Sequence, residues 1–567
     1  MTFFEGGSTA RSDVVGSAPE GQRNVYPAKR RNFDTLRVVK MMGRRSACTP
    51  SLNVFSVLSA PVSGIRSAFS LSIGRIVERV IGPALVVVAV LATADAQQPA
   101  ADLVLHRTVT YADRQTYIEV PFDVGEGVTR ITVDCSYTER EKHTVIDLGM
   151  FDGERFRGWS GGNKSTFTIS ETDATPSYLP GSVRPGRWKL ILGVPNIEQG
   201  VSSEFTAKIH FERKGDIAAV STFSSAPLRT GDAWYRGDLH MHDAHSDGSC
   251  MSRSGHKIPC PLHKTVEAAA SRGLDFIAIS DHNTTSHFNV MRELQPYFDN
   301  LLLMPAREIT TFQGHANVFG TTAFIDFRLT SPSVPDINTL LQNVREVHGM
   351  FSINHPGLPS GAACMGCGWS APNTDFSKVD SIEIVNGGSV EGPYSGISFW
   401  QEELSKGFRI SGIAGSDNHN ADLPPEARSA VGHPTTVVYA PELSERAILQ
   451  GIRAGHVFVD VDGTRDRLIE FTARVGSQSA AMGDAMKAAS GERVQFAVRT
   501  IGLAGSHVEI IQDGRVTDLS DTTPIKTADQ TKEFTYQSDG AKHWLRVNVR
   551  SEAGNLLILG NPIYLNY

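Results

Sequence analysis

The sequence lacks an excess of basic residues. It has 54 Lys and Arg against 61 Asp and Glu, which gives a net charge of -7 and a pI near 6.2. No basic face therefore indicates a nucleic-acid partner, although nucleic acid is not excluded as a substrate. No repeat of 20–50 residues is apparent, which argues against a repeat array. A chain of 567 residues is too long for one core and predicts two to four domains.

Long hydrophobic runs are also scarce. The run at 80–94 is shorter than the roughly 20 residues that span a bilayer. Arginines precede it and Ala94-Asp95-Ala96 follows, which is the layout of a secretory signal with its cleavage site. We expect a mature chain from about Gln97, exported to the periplasm or outside, with no anchor after cleavage; an uncleaved anchor is the alternative. The long preceding segment suggests that translation could start at Met41 or Met42.

Cysteine is the third scarce residue, with six in the chain, of which five would follow the cleavage site. An oxidising compartment favours disulfides, and Cys250 with Cys260 and Cys364 with Cys367 could each close a loop. Cross-pairing between the two couples is equally allowed, and a four-cysteine zinc site is the other alternative. Cys135 would then stay unpaired, buried in a strand.

The organisation of the chain follows from where strand and helix patterns alternate. Residues 97–231 are rich in alternating strand patterns and predict an N-terminal β-sandwich with a linker. In residues 232–467, short apolar strands are followed by helices, which predicts a parallel α/β barrel. Residues 468–567 are again strand-rich and predict a second β-sandwich. The pre-sequence would cover residues 1–96.

The motif richest in potential ligands is the extended segment Gly237–His242. His240 and His242 point the same way because side chains alternate along a strand, and Asp247 follows five residues later. Further His and carboxylate residues follow later predicted strands, at the ends where a parallel barrel carries its functional groups. We therefore expect nine side chains to converge as metal ligands: His240, His242, Asp247, His282, Glu308, His315, His355, Asp417 and His419. His245, His256, His263 and His287 lie off these positions and are interpreted as non-ligands.

Five motifs occur in order: His240-x-His242 with Ser246-Asp247-Gly248, Ser280-Asp281-His282-Asn283, Glu308 with Gly314-His315, Asn354-His355-Pro356, and Gly415-Ser416-Asp417-x-His419. Together they resemble the PHP (polymerase and histidinol phosphatase) superfamily over residues 232–460. The flanking β domains and the expected export make the chain most similar to the carbaryl-hydrolase-like branch.

The resemblance implies an α/β fold, a distorted (β/α)7 PHP barrel, holding two or three divalent metal ions. The first would be held by His240, His242, Glu308 and Asp417, and Glu308 would bridge to a second held also by His315 and His355. Asp247, His282 and His419 would hold a third. Zinc, manganese and iron all suit such mixed nitrogen and oxygen ligands. The catalytic candidates are His355 and Asp281. Asp281 could orient a metal ligand or accept a proton, or it could only form a supporting hydrogen bond to a ligand without contacting the metal.

The expected function is an exported metal-dependent hydrolase that uses a metal-bound hydroxide on a small-molecule ester. A phosphoesterase acting on phosphodiesters or phosphomonoesters is preferred, because phosphate suits a multinuclear cationic cleft. A carbamate or carboxylic ester hydrolase of the carbaryl-hydrolase type is one alternative. A catalytically inactive metal-binding exported protein is another. The sequence does not predict an oligomeric state.

Overall fold

A computed structural model of the chain describes residues 100–216, 226–361, 364 and 366–567. The expected pre-sequence, with its signal, cleavage site and alternative start residues, lies outside the described residues. Within the described ranges, no helix is both long and apolar enough to cross a membrane.

The N-terminal module consists of two four-stranded antiparallel sheets that share one core. The sheet orders are β1-β8-β3-β6 and β2-β7-β4-β5. Trp188, Phe167 and Phe205 are fully buried between the sheets, because alternate side chains of each strand face the other sheet. Cys135 is a free, buried cysteine on the third strand. The strands are β1 (Leu103–Thr110), β2 (Tyr117–Val124), β3 (Val128–Tyr137), β4 (Val145–Phe151), β5 (Phe156–Gly161), β6 (Thr166–Ser170), β7 (Gly186–Asn196) and β8 (Ser202–Arg213).

The central module mixes strands with all five α-helices of the described residues. Several of its short strands are buried along their whole length, as Phe276–Ile279 and Met350–Ile353 illustrate, because helices and neighbouring strands cover both faces. The strands are β9 (Arg229–Asp238), β10 (Ser249–Met251), β11 (Lys257–Pro259), β12 (Phe276–Ile279), β13 (Leu302–Thr311), β14 (Gly314–Phe319), β15 (Met350–Ile353), β16 (Ser381–Asn386), β17 (Ser411–Gly415), β18 (Thr435–Leu443) and β19 (Val457–Asp460). The helices are α1 (Leu262–Ser271), α2 (Phe288–Leu294), α3 (Ile337–Glu346), α4 (Ile397–Ser405) and α5 (Glu445–Ala454).

The predicted (β/α)7 barrel is wrong. The protein is mostly β, and its central strands belong to a mixed fifteen-stranded sheet whose main path runs from β17 at one edge through β16, β15, β14, β13, β12, β9, β18 and β19. Only β9–β12, β12–β13, β15–β16 and β16–β17 are parallel pairs in this part of the sheet, whereas β14 and β18 are antiparallel to both of their neighbours. Among the named strands of the described residues, β17 is an edge strand that pairs only with β16.

The hairpin of β13 and β14 is the main cause of the difference. A regular barrel would send the chain from one strand through a helix to the next parallel strand. Here the chain reverses within Phe312 and Gln313, and Gly314 has φ +148, a conformation that residues with a side chain rarely adopt. A Cβ at this position would also lie 2.3 Å from the ring of Trp369. The sequence pattern of β13 gave no sign of this return strand.

The C-terminal strands are divided between two sheets, so the predicted boundary at residue 467 is not a break in the sheet. One sheet has the order β21-β20-β23-β26, whereas the other strands extend the central sheet, since β28 pairs with β19. Phe471, Phe496 and Val547 are buried in the core that the two sheets share. The strands are β20 (Leu468–Val475), β21 (Gln478–Ala481), β22 (Ala485–Met486), β23 (Arg493–Ile501), β24 (His507–Gln512), β25 (Arg515–Val516), β26 (Asp529–Gln537), β27 (His543–Arg550), β28 (Leu556–Gly560) and β29 (Ile563–Leu565).

Candidate metal centre

The site forms where the segments that follow β9 and β17 meet. The two segments share an isolated parallel bridge between Met241 and Asn418. The fully buried Asp238 ties them together, because its Oδ1 accepts hydrogen bonds from the backbone N–H groups of His240 (3.2 Å) and Ser416 (2.9 Å). A Cβ on Gly415 would lie 2.3 Å from the Cβ of His240, so only glycine permits this close approach.

Glu308 occupies the middle of the site and is 1 % exposed. Its position in β13 places its carboxylate among imidazoles from four other segments. The distances to Oε1 are 3.5 Å from His240 Nε2, 3.3 Å from His315 Nδ1 and 3.4 Å from His355 Nε2. The distances to Oε2 are 3.6 Å from His242 Nε2 and 2.8 Å from His282 Nδ1. Each oxygen therefore faces a different set of imidazoles, as a carboxylate that joins two ligand groups would.

Asp417 lies across from Glu308, on the segment after β17. Its Oδ1 is 3.3 Å from His240 Nε2 and 3.2 Å from His242 Nε2. The same oxygen is 3.5 Å from the Nδ1 of His419. Asp417 thus connects the buried part of the site to its outer part.

The outer part of the site is open to solvent. Asp247 Oδ1 is 3.3 Å from His419 Nε2 and 3.7 Å from His282 Nε2. The exposed fractions of these side chains are 59 % for Asp247, 38 % for His419 and 27 % for His282, against 1 % for His240. Burial therefore decreases steadily from the base of the site to its mouth.

Clusters of His, Asp and Glu in the described residues could hold a metal ion. There are four such groups, in each of which the ligand atoms lie within 4.8 Å of one another: His240, His242 and Glu308; His240, His355 and Asp417; His242, Asp247, His282 and His419; and His315, His355 and Cys367. All nine sequence-predicted ligands belong to at least one group. Cys367 is the one group member that is not among the nine ligands predicted from the sequence.

The donor atoms fit a metal ion better than they fit one another. The buried Nε2 atoms of His240 and His242 have no hydrogen-bond partner, although carboxylate oxygens lie 3.2–3.6 Å away. Two ligands each about 2.0–2.1 Å from a shared tetrahedral ion lie about 3.3 Å apart. Leaving two buried ring nitrogens without partners is unfavourable, and a shared cation would satisfy both.

In three of the candidate ligand histidines, Nδ1 contacts a neighbouring oxygen on the side away from Nε2. His240 Nδ1 is 3.1 Å from Glu383 Oε1, His355 Nδ1 is 3.1 Å from the carbonyl of Cys367, and His419 Nδ1 is 2.9 Å from the carbonyl of Asp417. A partner on Nδ1 fixes the proton there and leaves Nε2 as the free ligand atom. This arrangement is typical of metal-ligating histidines.

Glu383, on β16, is the functional residue that the sequence analysis missed. It is 2 % exposed, and besides its contact with His240 its Oε2 accepts hydrogen bonds from the backbone N–H of His355 (3.0 Å) and from Asn386 Nδ2 (3.1 Å). One carboxylate therefore orients two candidate ligands. The sequence did contain a signal for this residue, since Glu383 is an acidic residue inside the apolar run Ser381–Val385. A carboxylate is rarely buried without partners, so its position in a buried strand indicates that polar groups lie nearby.

Asp281 does not belong to any of the ligand groups. Its fully buried carboxylate accepts hydrogen bonds from Ser246 Oγ (2.5 Å) and the backbone N–H of Asp243 (3.0 Å), and Ser246 Oγ lies 3.4 Å from His242 Nδ1. Burial and the neighbouring Asp281 raise the pKa of Asp243 to about 8. Asp281 thus lies behind His242, in a position that favours orientation of this ligand over contact with a substrate.

Charges in the metal-free site compensate one another. Burial alone would lower the pKa of His240, but Asp417, Glu383 and Glu308 raise it well above its ordinary value. Burial would raise the pKa of Asp417, but His240 and His242 hold it well below its usual range. In contrast, burial lowers the pKa of His242 despite its carboxylate neighbours. In a buried cluster with ionised carboxylates, metal binding would displace the protons of the imidazoles.

The histidines that were interpreted as non-ligands lie outside the four groups. His256 is exposed on the hairpin of β10 and β11, and His263 is on α1 beside Glu267. His245 contacts Ser286, and the buried His287 has its Nε2 2.8 Å from the carbonyl of Ala306.

The cysteine pairs follow the two local couples. Cys250 is bonded to Cys260 and Cys364 to Cys367. The first pair closes the β10–β11 hairpin and belongs to none of the ligand groups in the described residues. The alternative of cross-pairing and that of a four-cysteine zinc site therefore do not describe this structure.

Comparisons with known proteins do not assign this chain to a family. No family model matches the chain, and no curated protein matches it. A solved structure titled "Glycosylation Associate Protein (Gap123) complex from Streptococcus agalactiae" is similar at 8 % identity and a TM-score of 0.13, covering 36 % of this chain and 72 % of that chain. A similarity this low says nothing about the fold or the activity of this chain.

Proposed function

We propose that this protein is a metal-dependent hydrolase of ester bonds, with phosphodiesters or phosphomonoesters as its preferred substrates. The observation that carries the proposal is the gradient of burial across one continuous set of ligands. His240, His242 and Glu308 are buried at the base, whereas Asp247, His282 and His419 face solvent. Structural metal sites are closed by their ligands, and catalytic sites keep a position open.

Each part of the site has a separate task in this proposal. His240, His242, Glu308 and Asp417 would hold one ion at the base, and Glu308 would join it to a second site at His315 and His355. Asp247, His282 and His419 would form the outermost position. Divalent cations bound here would activate water and neutralise the charge that develops on a phosphoryl or acyl oxygen.

The residues of the chain supply binding, orientation and exclusion of water. Glu383 and the carbonyl of Cys367 hold the rings of His240 and His355, so that their Nε2 atoms face Glu308. Asn354 Nδ2 donates to Glu308 Oε1 (3.0 Å) and fixes the central carboxylate. Such support is what keeps a catalytic arrangement within productive geometry.

A phosphoester substrate is preferred because phosphate combines negative charge with several oxygens that can approach clustered cations. The order of the ligand motifs, which resembles that of the PHP superfamily, supports the same reaction class. The expected small-molecule substrate enters from the side of Asp247 and His419, where the site is exposed.

The test is a substrate panel on the purified protein, with an aryl phosphodiester, a phosphomonoester and a naphthyl ester, each with chelator and after metal is returned. Turnover of a phosphoester that chelation abolishes and metal restores supports the proposal. Turnover of the naphthyl ester alone would replace it with a carbamate or carboxylic ester hydrolase. Tight metal binding without turnover of any substrate would support the alternative that the protein is a catalytically inactive metal-binding protein.

A further inference from the structure

Cys367, which is bonded to Cys364, is part of the wall of the metal centre. It follows β15 and His355, and the carbonyl of Cys367 lies 3.1 Å from His355 Nδ1. Cys367 is only 4 % exposed. Its Sγ, one ring nitrogen of His315 and one of His355 lie within 4.8 Å of one another. A sulfur atom thus lies beside two of the nine candidate ligands.

The disulfide to Cys364 prevents this sulfur from acting as a ligand. The thiolate is the form of cysteine that binds metals, and a sulfur bonded to a second sulfur offers no such charge. In the bonded form, the position beside His315 and His355 therefore has only the nitrogen and oxygen donors already described.

Hydrogen bonds donated by backbone N–H groups keep residues 368–370 in place independently of the disulfide. Trp369 N–H donates to the carbonyl of Pro356 (3.2 Å), and Ser370 N–H donates to the carbonyl of Gln313 (2.7 Å). Gly368 N–H donates to Ser360 Oγ (3.2 Å). Because these bonds anchor the chain directly after Cys367, breaking the disulfide would leave its side chain beside the two histidines.

We propose that Cys367 is a redox-released metal ligand, which joins His315 and His355 in binding an ion once its bond to Cys364 is reduced. This inference rests on the proposed function, because it uses the same metal centre. A thiol or phosphine reductant supplies two electrons, the S–S bond breaks, and each sulfur takes one proton. Cys367 then gives its proton to solvent on binding the ion, and Cys364 stays a thiol.

The consequence is a change in metal preference. Thiolate is a soft ligand that favours zinc over manganese, whereas the carboxylates and imidazoles of the bonded form discriminate less. The redox state of one cysteine pair would therefore set the metal affinity of the centre.

Cobalt(II) is the probe that tests this directly. The full chain is loaded with Co²⁺ before and after treatment with a water-soluble trialkylphosphine, which becomes the phosphine oxide with oxygen from water. We expect a thiolate-to-cobalt charge-transfer band to appear in the near ultraviolet only after reduction. Cys364→Ala should show the band without reductant, and Cys367→Ala should never show it.

The second disulfide provides the matched control. A Cys250→Ala/Cys260→Ala variant should gain the band on reduction as the wild type does, because that pair lies in no ligand group. Competition with a chromophoric chelator should show zinc bound on the order of tenfold more tightly by Cys364→Ala than by the oxidised wild type.

Two results would overturn the inference in different ways. The role of Cys367 would be refuted if reduced wild type and Cys364→Ala bind cobalt without a thiolate band. It would also be refuted if the band persists in Cys367→Ala. Neither result would contradict the metal centre itself. Absence of cobalt binding in every variant and both redox states would refute the centre itself, and with it the proposed function.

Discussion

Glu383 Oε1 lies 3.1 Å from His240 Nδ1, and both side chains are at most 2 % exposed. The contact connects β16 to the segment after β9, although β15, β14, β13 and β12 lie between these two strands in the order of the sheet. It fixes which nitrogen of His240 faces Glu308 and Asp417. The geometry of the candidate centre therefore depends on a residue that is not itself a ligand.

Replacing Glu383 should weaken metal binding without removing a ligand. Glu383→Gln keeps the shape of the side chain but loses the charge that supports His240 and His355. Changes to such supporting carboxylates typically cost about 10–100-fold in metal affinity. Titration with a metal indicator should show this loss. The control is Glu403→Gln, which should bind metal as the wild type does, because Glu403 is a buried carboxylate on α4 that pairs with Lys406.

Removing a ligand should lower metal content directly. His240→Ala and Asp417→Ala are each expected to lose bound metal and turnover, because both residues belong to the buried ligand groups. His256→Ala should change neither, since His256 is exposed and outside those groups. Elemental analysis after gel filtration is the measurement. Wild-type metal content in both ligand variants would contradict the assignment of the centre.

Metal removal should destabilise the fold. A ligand that binds only the native state stabilises it by about 2.7 kcal/mol when present at 100 times its Kd. Excess chelator should therefore lower the Tm in calorimetry, and it should do so less in Asp417→Ala, which holds less metal from the start. The N-terminal sheets contain no ligand group, so the change should come from the central module. An unchanged wild-type Tm would argue against bound metal.

The outer pair Asp247 and His419 should stabilise the metal-free protein within a limited pH range. Despite burial, Asp247 and Asp417 raise the pKa of His419 from 6.5 to about 9, and the hydrogen bond with His419 lowers the pKa of Asp247 from 3.8 to about 2. The contribution of His419 is complete below pH 6.5 and is lost as the pH rises through 9. That of Asp247 is complete above pH 3.8 and is lost as the pH falls through 2.

Asp247→Asn should therefore lower the Tm of chelated protein between pH 3.8 and 6.5 and have little effect above pH 9. The expected size is at most about 1 kcal/mol, because both side chains are exposed to solvent. Asp422→Asn is the matched control, since Asp422 pairs with the ammonium of Lys264 and not with an imidazole. An equal effect of Asp247→Asn at pH 6 and above pH 9 would refute the coupling.

Asp281 is expected to position His242 and not to transfer a proton. Asp281→Asn and Ser246→Ala should both weaken metal binding, because each breaks the hydrogen-bonded chain behind His242. At saturating metal, kcat and its pH profile should stay close to wild type. A proton acceptor would instead cost about 10²–10⁴-fold in kcat and remove one limb of the profile. Steady-state kinetics across pH separate the two roles.

The sequence by itself determined which side chains could act as ligands and that most of them follow buried strands, whereas Glu308 and His315 lie within β13 and β14. Those properties are local: His240 and His242 share a direction because of strand alternation, and each motif ends an apolar run. The nine candidate ligands accordingly come together in the structure. No local pattern, however, states which strands pair or in which direction, and the predicted barrel was wrong for that reason.

Only the tertiary structure decided the sheet order and the partners of each ligand. The reversal at Gly314 places His315 on a strand antiparallel to that of Glu308, because backbone freedom at one residue replaced a crossover helix. Glu383 and Cys367 become part of the centre through contacts across 143 and 12 residues of chain. Long-range packing fixes such contacts, since their energy depends on which groups are buried together and not on the residues beside them in sequence.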